Sequence, residues 1–378
     1  MAFSPTQLEL LPLNETGENP RYLEEQLITY LGNKRALLPF IGKAVSTVKS
    51  RLGQNKLRTL DLFSGSGVVA RYLKKDSSFI VTNDLEPYSK IINECYLTNT
   101  SEFEKIEFAD ILKDLKSLII KEWNPGFITN LYAPKDENNI TESDRVFYTR
   151  YNAIYIDTVR KLIDKYPINI RKYFLGPLLS EASIHANTSG VFKGYYKNAH
   201  GIGQYGGNRK DALTRICGKI DLNMPVLSWH ECSYSVLNGN ANKIVEEVPE
   251  VDLAYFDPPY NQHPYGSNYF MLNLILDYNH PNEISTVSGI PSNWQRSNYN
   301  KRKFAEEALF DSIRKVKASH VLVSYNSEGF VSHNNFLEQM RLIGKLHVME
   351  TPYNTFRGSR NLRDRALHVT EYLYLLEK

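Results

Sequence analysis

The sequence predicts an α/β fold built on a doubly wound, mainly parallel sheet. Three apolar segments in the first third of the chain each lead to a carboxylate and then to residues at helical spacing. Helices between strands imply right-handed crossovers, and such sheets bind ligands at the carboxyl ends of their strands. We therefore expect the three carboxylates to border one site, although Asp61 and Asp110 could instead cap helices. The segments and their carboxylates are 57–60 with Asp61, 79–83 with Asp84, and 106–108 with Asp110.

A glycine-rich turn follows the first predicted strand, with the sequence Phe-Ser-Gly-Ser-Gly at 63–67. Glycine lets the backbone approach a ligand closely, and the helix that follows offers free N–H groups. Asp84 lies about 20 residues beyond the first strand, where doubly wound folds bind ribose hydroxyls. The turn and Asp84 together predict a ligand that contains a ribose.

A second group of polar atoms follows the strand predicted at 251–256, in the sequence Asp257-Pro258-Pro259-Tyr260. Two successive prolines end the strand and fix two φ angles, so the turn is rigid. The Asp257 carboxylate, the Pro258 carbonyl and the Tyr260 ring then offer two acceptors and a flat surface. This combination suits a planar ring with an exocyclic amino group, although Asp-Pro and Pro-Pro also occur in ordinary turns.

Positive charge is concentrated in residues 190–220, which hold six cations and one acid among aromatic residues and glycines. The whole chain carries a net charge of only +3, so any nucleic-acid site must be a local patch. A flexible, basic, aromatic loop fits contact with phosphates and bases, whereas the ordinary alternative is a solvated loop. More cations lie at 288–303 and between the last two predicted strands. The cations expected at a nucleic-acid surface are Lys193, Lys197, Arg209, Lys210, Arg296, Arg357 and Arg360.

The rest of the composition is that of a globular protein, with 42% hydrophobic and 23% charged residues. The three cysteines are scattered without metal-ligand spacing, which predicts a reducing compartment and neither a zinc site nor disulfides. We find no signal peptide and no apolar run of the ~20 residues that a membrane span needs. These features predict a cytoplasmic location and no membrane or metal partner.

Near the N-terminus, the sequence Tyr30-Leu31-Gly32-Asn33-Lys34 leads into apolar residues at helical spacing. The helix dipole does not favour a cation at a helix start, so Lys34 suggests an anionic ligand. The alternative is a solvated lysine in an ordinary turn.

Taken in order, these motifs resemble the D12 class of adenine-specific DNA methyltransferases, with the α-group order of motifs. The resemblance implies a Rossmann-like, S-adenosylmethionine-dependent fold with a seven-stranded mixed sheet, in which a terminal hairpin inserts one antiparallel strand. It also implies a catalytic domain interrupted by a target-recognition region. The five matching pieces are 30–34, 61–67, 83–84, 108–110 and 257–260. The implied regions are 21–112 (cofactor binding), 113–250 (the insert) and 251–378 (catalysis and the hairpin).

The resemblance also implies roles for individual residues. Tyr30 and Lys34 would hold the methionine end of S-adenosylmethionine, and Asp257 would lie between this cofactor and the target. Asp84 would bind the ribose of the cofactor, and Asp110 would bind its adenine. The remaining cofactor-binding residues that the resemblance implies are Asp61, Phe63, Ser64, Gly65 and Gly67.

The implied reaction moves a methyl group to the N6 amino group of an adenine in duplex DNA. Asp257 and the Pro258 carbonyl would accept the two amino hydrogens and stabilise the positive charge that develops on nitrogen. The adenine must leave the base stack, and Tyr260 would stack on it. The resemblance further implies a restriction-modification role, with a possible partner endonuclease that acts on the same DNA sequence.

Other functions use parts of the same pattern. An RNA-adenine or protein-glutamine methyltransferase would use the same site, usually with Asn in place of Asp257. A nucleotide-dependent oxidoreductase would explain Gly65, Gly67 and Asp84 but would leave residues 257–260 without a role. A nucleic-acid-binding protein without catalysis could keep the fold, although the complete set of acceptors argues against it.

Overall fold

The computed structural model describes residues 17–210, 212–354 and 368–378. Its strands are β1 (Leu57–Asp61), β2 (Ser77–Asp84), β3 (Ser233–Asn238), β4 (Val251–Phe256), β5 (Ala318–Asn326), β6 (Lys345–Asn354) and β7 (His368–Glu377). Within the described residues these strands form one sheet in the order β3-β2-β1-β4-β5-β7-β6. The first five strands of this order pair in parallel, and β7 is antiparallel to both β5 and β6. The predicted seven-stranded mixed sheet, with one antiparallel strand inserted by the terminal hairpin, is therefore confirmed.

Helices connect the strands and cover both faces of the sheet. Those that precede β3 are α1 (Pro20–Glu24), α2 (Leu38–Leu52), α3 (Val68–Leu73), α4 (Pro87–Tyr96), α5 (Thr100–Phe103), α6 (Phe108–Lys121), α7 (Phe127–Tyr132), α8 (Arg150–Ile163), α9 (Ile168–Ile184) and α10 (Leu213–Cys217). Those that follow β3 are α11 (Ala241–Glu247), α12 (Tyr265–Asn268), α13 (Phe270–Asp277), α14 (Arg302–Lys315) and α15 (His333–Arg341). None of the described helices is both long enough and apolar enough to cross a membrane.

The prediction of a third strand at 106–108 is wrong. Phe108 begins α6, and its buried neighbours Leu112, Leu115 and Ile119 continue at helical spacing. The third strand along the chain is β3, which among the described strands pairs with β2 alone and lies at the edge of the sheet. Its side chains are half-buried or exposed, so it lacks the continuous apolar run of a strand that is buried on both faces.

Apolar side chains form three clusters around the sheet. On one face α2 and α3 pack against the strands, and on the other face α11, α14 and α15 do so. The third cluster joins α4, α6, α8, α9 and α13 into a helical layer beside the sheet. Both β3 and α11 fall inside the range 113–250, so part of the predicted insert belongs to the sheet. The division into three regions otherwise stays a prediction.

Candidate active site

An open cleft, which encloses about 890 Å³ when its solvent-filled mouth is included, lies at the carboxyl ends of the central strands; it is called the cavity below. Because β1 and β4 are parallel neighbours, with Asp61 paired to Tyr255, the residues that follow both strands reach the same edge. Eight residues predicted from the sequence line this cavity, namely Tyr30, Lys34, Asp61, Phe63, Ser64, Gly65, Asp84 and Asp257.

The glycine turn after β1 is shaped by close contacts on both sides. Gly65 has a φ of +50°, and a Cβ built there would lie 2.9 Å from Cε1 of Tyr30. Gly67 has a φ of +73°, and its Cβ would lie 2.9 Å from Oδ1 of Asn93. Both positions combine a left-handed backbone with a near neighbour, so glycine is required at each. Gly67 caps α3 and is not among the lining residues, whereas Gly65 faces the cavity.

Tyrosine rings connect the N-terminal motif to this turn. The Tyr30 ring stacks on Tyr265 and Tyr269, with ring centroids 4.9 and 4.8 Å apart. The Tyr269 hydroxyl accepts a hydrogen bond from the Leu31 backbone N–H at 2.7 Å, and the Tyr265 hydroxyl donates to the Leu31 carbonyl at 3.1 Å. The short helix that follows the Asp-Pro-Pro-Tyr sequence therefore fixes the segment that carries Tyr30 and Lys34.

Three carboxyl groups face the cavity from the ends of β1 and β2. Burial raises the pKa of Asp61 well above its usual value, and the nearby Asp257 and Asp84 raise it further. Both Asp61 oxygens are buried, and the backbone N–H groups of Ala70 and Phe63 offset part of this rise in pKa. Burial also raises the pKa of Asp84 to about 6 and that of Glu86 to about 8. Such a site is suited to a ligand with donor groups or positive charge.

Asp84 also holds the backbone of the site. One of its oxygens accepts a hydrogen bond from the Gly65 N–H at 2.8 Å, and the other accepts from the Glu86 N–H at 2.9 Å. Its carbonyl accepts from the Gly239 N–H at 3.1 Å. Asp84 therefore ties together the segments that follow β1, β2 and β3.

Lys34 lies in a buried chain of charges. Its Nζ is 3.1 Å from Oδ1 of Asp257 and 2.8 Å from Oε1 of Glu371, which is a residue of β7. Burial lowers the pKa of Lys34, but the two carboxylates outweigh this effect and hold the pKa well above its usual value. These partners explain the burial of a lysine without the anionic ligand that the sequence suggested. Burial raises the pKa of Asp257 to about 6, although Lys34 lowers it.

The Asp-Pro-Pro-Tyr turn is only partly inside the cavity. Asp257 and Pro259 line it, whereas Pro258 is buried and is not among the lining residues. The Tyr260 ring stands beside the cavity, with Nζ of Lys34 6.0 Å from its centroid and the Tyr325 ring at its edge. Its carbonyl accepts a hydrogen bond from the Phe330 N–H at 3.0 Å. The geometry therefore brings Asp257 to the glycine turn and leaves Tyr260 at the margin.

Asp110 is the predicted cofactor residue that the structure does not bring to the cavity. It lies exposed in the first turn of α6, because the strand that was predicted to deliver it is absent. The corresponding edge of the cavity is lined by Gly239, Asn240 and Ala241, which follow β3. Sequence reasoning missed these residues because β3 lacks a strong apolar pattern. It also missed Glu86, which lines the cavity, and Glu371, which pairs with Lys34, because these contacts join residues that no sequence motif links.

The basic loop at 190–210 is anchored by its aromatic residues and exposes its cations. Phe192 is buried, and its N–H donates to the Asn268 carbonyl of α12 at 2.7 Å. The Tyr195 ring packs edge-on against Phe147 at 5.1 Å, and the Tyr205 hydroxyl donates to Glu137 at 2.8 Å. The aromatic residues of the loop thus serve packing and anchoring. The exposed cations are Lys193, Lys197, Arg209 and Lys210.

Arg296 is exposed at the rim of the cavity. It lies between Gln295 and Ser297, both of which line the cavity, and its guanidinium stacks 4.1 Å from the Trp294 ring. The predicted Arg357 and Arg360 lie outside the described residues. Among the residues that the structure describes, no group of three or more His, Cys, Asp or Glu side chains is arranged to hold a metal ion.

Strand order separates this sheet from that of the dinucleotide-dependent dehydrogenases. In those enzymes the sixth strand continues the parallel order 3-2-1-4-5-6, whereas here antiparallel β7 lies between β5 and β6. This arrangement, with an Asp-Pro-Pro-Tyr turn beside the glycine turn, defines the class of S-adenosylmethionine-dependent methyltransferases. Within that class, residues 30–324 match the model of the D12 class N6 adenine-specific DNA methyltransferases. The chain belongs to this family and is an adenine-specific DNA methyltransferase.

Similar proteins carry the names of modification enzymes. The type II methyltransferase M.NlaIII of Neisseria lactamica is 28% identical over 361 residues, which cover 93% of this chain and 99% of the relative. The type II methyltransferase M.CviAII of Paramecium bursaria Chlorella virus 1 is 28% identical over 92% of this chain and 98% of the relative. The type II methyltransferase M.FokI of Planomicrobium okeanokoites is 28% identical over 84% of this chain, which spans only 48% of that relative.

Proposed function

We propose that the cavity binds S-adenosylmethionine and that Asp257 presents the N6 amino group of an extrahelical adenine to it. The observation that supports this most directly is the excess of carboxyl groups over cations in the cavity lining. Its lining includes four carboxyl groups, of Asp61, Asp84, Glu86 and Asp257, and within the described lining Lys34 is the single Lys or Arg. An acidic cavity disfavours the pyrophosphate of a dinucleotide and favours a cofactor with a sulfonium and an ammonium group.

The chain's own groups fit that cofactor. Asp61, a carboxyl group of the cavity lining, would accept hydrogen bonds from the ammonium of the methionine moiety. Asp84 would bind the ribose with its remaining lone pairs, and the Gly65 turn would allow close approach. Residues 239–241 would border the adenine of the cofactor, in the role that the resemblance implied for Asp110.

The reaction that we propose depends on the hydrogen bonds that Asp257 accepts from the target amino group. The N6 lone pair of adenine is delocalised into the ring, so the amine is a poor nucleophile. Oδ1 of Asp257 faces Lys34, which leaves Oδ2 to accept one amino hydrogen. The backbone carbonyl of Pro258, a buried residue between the lining residues Asp257 and Pro259, would accept the other. These acceptors would turn the lone pair toward the cofactor and stabilise the positive charge that develops on nitrogen. When bound, S-adenosylmethionine supplies an electrophilic methyl group on a positively charged sulfur.

Three further parts of the function follow from the position of the loops. Tyr260, at the margin of the cavity, would stack on the extrahelical adenine. The exposed cations Lys193, Lys197, Arg209 and Lys210 would contact the phosphates of duplex DNA. The loop that bears these cations is hydrogen-bonded to α12, which follows Asp257 in the sequence. DNA bound at the loop would therefore lie near the segment that follows Asp257. Arg296 would contact a phosphate at the cavity rim.

We also propose that the enzyme works as the modification half of a type II restriction-modification system. The names of the relatives M.NlaIII and M.CviAII support this role, since each aligns over nearly its whole length with this chain. Plasmid methylated by the enzyme should resist the endonuclease that recognises the same DNA sequence.

The substitution Asp257→Asn tests the catalytic proposal. It preserves the shape of the side chain but removes the charge and one acceptor, so transfer of tritiated methyl groups to plasmid DNA should fall by about 10²–10³-fold. Binding of S-adenosylmethionine should be weakened but remain measurable. Asp252→Asn, at the other end of β4, is the control and should keep wild-type turnover. An Asp257→Asn enzyme that retains most of its turnover would refute the proposal.

A further inference from the structure

Glu371 is a buried carboxylate for which the reaction described above has no role. It lies on β7 with 2% of its surface exposed. Its Oε1 is 2.8 Å from Nζ of Lys34 and accepts a hydrogen bond from the Ser324 hydroxyl at 3.0 Å. A buried carboxylate is costly unless it is paired, and here Glu371 and Asp257 share the ammonium group of Lys34.

The three charges do not cancel. Lys34 alone would neutralise Asp257, and the pair would present no net charge to the cavity. Glu371 cancels the charge of Lys34 instead, so the group Asp257–Lys34–Glu371 carries one net negative charge. In a buried site one charge acts over several ångströms with little screening. Both the sulfonium of the cofactor and the positive charge developing on N6 would be stabilised by it.

We propose that Glu371 is a positioning residue that holds and neutralises Lys34, so that Asp257 faces a cationic transition state with its full negative charge. This inference rests on the proposed function of the cavity. It assigns Lys34 the task of orienting Asp257 through Oδ1, and it assigns Glu371 the task of preventing that lysine from repelling the cofactor.

Several groups surround Asp257 and set its protonation. Lys34 lowers its pKa and Glu371 raises it, while the effect of burial is larger than either. Asp61 and the hydroxyls of Tyr255 and Tyr265 also interact with it electrostatically. A neutral side chain at position 371 would no longer raise the pKa of Asp257, and Lys34 would then pair with Asp257 alone. The pKa of Asp257 should therefore fall in a Glu371→Gln enzyme.

The first test measures binding without turnover. S-adenosylmethionine and S-adenosylhomocysteine differ by one methyl group and one positive charge, so the ratio of their dissociation constants reports the charge of the site. In Glu371→Gln, the preference for the charged ligand over the neutral one should decrease by about tenfold or more, as measured by calorimetry. Glu350→Gln, an exposed acid on the neighbouring strand β6, should leave the ratio unchanged. An unchanged ratio in Glu371→Gln would overturn the proposal.

The second test is the pH profile of methyl transfer. Glu371→Gln should lower kcat about ten- to a hundredfold with a smaller effect on KM for DNA, and the acidic limb should move to lower pH. Loss of packing alone would lower the amplitude without moving the limb. Glu371→Asp keeps the charge one methylene farther from Lys34 and should give an intermediate kcat. If the Gln variant does not fold, a wild-type kcat and limb in Glu371→Asp would overturn the proposal.

Failure of this inference is distinct from failure of the proposed function. If Asp257→Asn abolishes transfer while Glu371→Gln behaves as the wild type, only the role of Glu371 is refuted. If Asp257→Asn retains turnover, the proposed function itself fails.

Discussion

Gly65→Ala should weaken cofactor binding through a contact that the structure defines. The φ of +50° costs an alanine about 1 kcal/mol. The new Cβ would lie 2.9 Å from Cε1 of Tyr30, whereas ordinary contacts begin at 3.4 Å, so the Tyr30 ring must move by several tenths of an ångström. Because that ring stacks on Tyr265 and Tyr269, the overpacking should cost about 1–3 kcal/mol more. Both Gly65 and Tyr30 line the cavity, so the dissociation constant of S-adenosylmethionine should rise at least about tenfold.

Gly53→Ala provides the matched control for this prediction. Gly53 caps the end of α2 with a φ of +62°, and a Cβ there would have no neighbour within 4 Å. It should therefore show the backbone strain of about 1 kcal/mol in thermal unfolding and no change in cofactor affinity by calorimetry. Wild-type affinity in Gly65→Ala, with a loss of stability equal to that of Gly53→Ala, would refute the steric argument.

Three other outcomes are expected. At saturating cofactor, kcat/KM for DNA should rise through pH about 6 and level off above it, because Asp257 must be ionised and burial raises its pKa to about 6; a limb near pH 4 would contradict this. Asp110→Asn should not alter cofactor affinity, since Asp110 is exposed on α6, and a tenfold loss would restore its predicted role. Replacing Arg209 and Lys210 by Gln should reduce the salt dependence of DNA binding by about 1.8 in log–log slope.

The salt experiment has a control at the opposite edge of the sheet. Lys56 and Lys317 are exposed and precede β1 and β5, so they lie at the amino ends of parallel strands whose carboxyl ends border the cavity. Replacing this pair by Gln should leave the slope unchanged. Equal slopes for the two double variants would remove the basic loop from the DNA interface.

Segments with a strong local signal were predictable from the sequence. The buried central strand β4 has an apolar run at 253–256 that ends at Asp257, and the glycines at 65 and 67 mark a turn that only a left-handed backbone can form. Parallel pairing then places both segments at one edge of the sheet. The placement of Asp257 beside the glycine turn followed from these local features and a general rule.

Elements with a weak or ambiguous signal were not predictable. Residues 106–108 look like a short strand when read alone, but Phe108 shares a helical spacing with Leu112, Leu115 and Ile119. The edge strand β3 buries too little to show an apolar pattern. Because the third strand was misplaced, Asp110 was expected at the edge of the cavity that Gly239, Asn240 and Ala241 line instead.

Contacts between distant parts of the chain could not be predicted from the sequence either. Lys34 and Glu371 are separated by 337 positions, and neither spacing nor composition relates them. Lys34 was consequently interpreted as the partner of an anionic ligand. The structure shows that Lys34 pairs with two carboxylates of the protein, and this pairing supports the proposal that it orients Asp257.

The most direct test of the account is sequencing that detects modified bases in plasmid DNA from cells that express the enzyme. The account predicts N6-methyladenine at one recurring sequence context in wild-type samples and its absence in samples from cells that express Asp257→Asn. Modification at cytosine, or N6-methyladenine that persists with Asp257→Asn, would contradict the claim that this carboxylate presents the adenine amine for methylation.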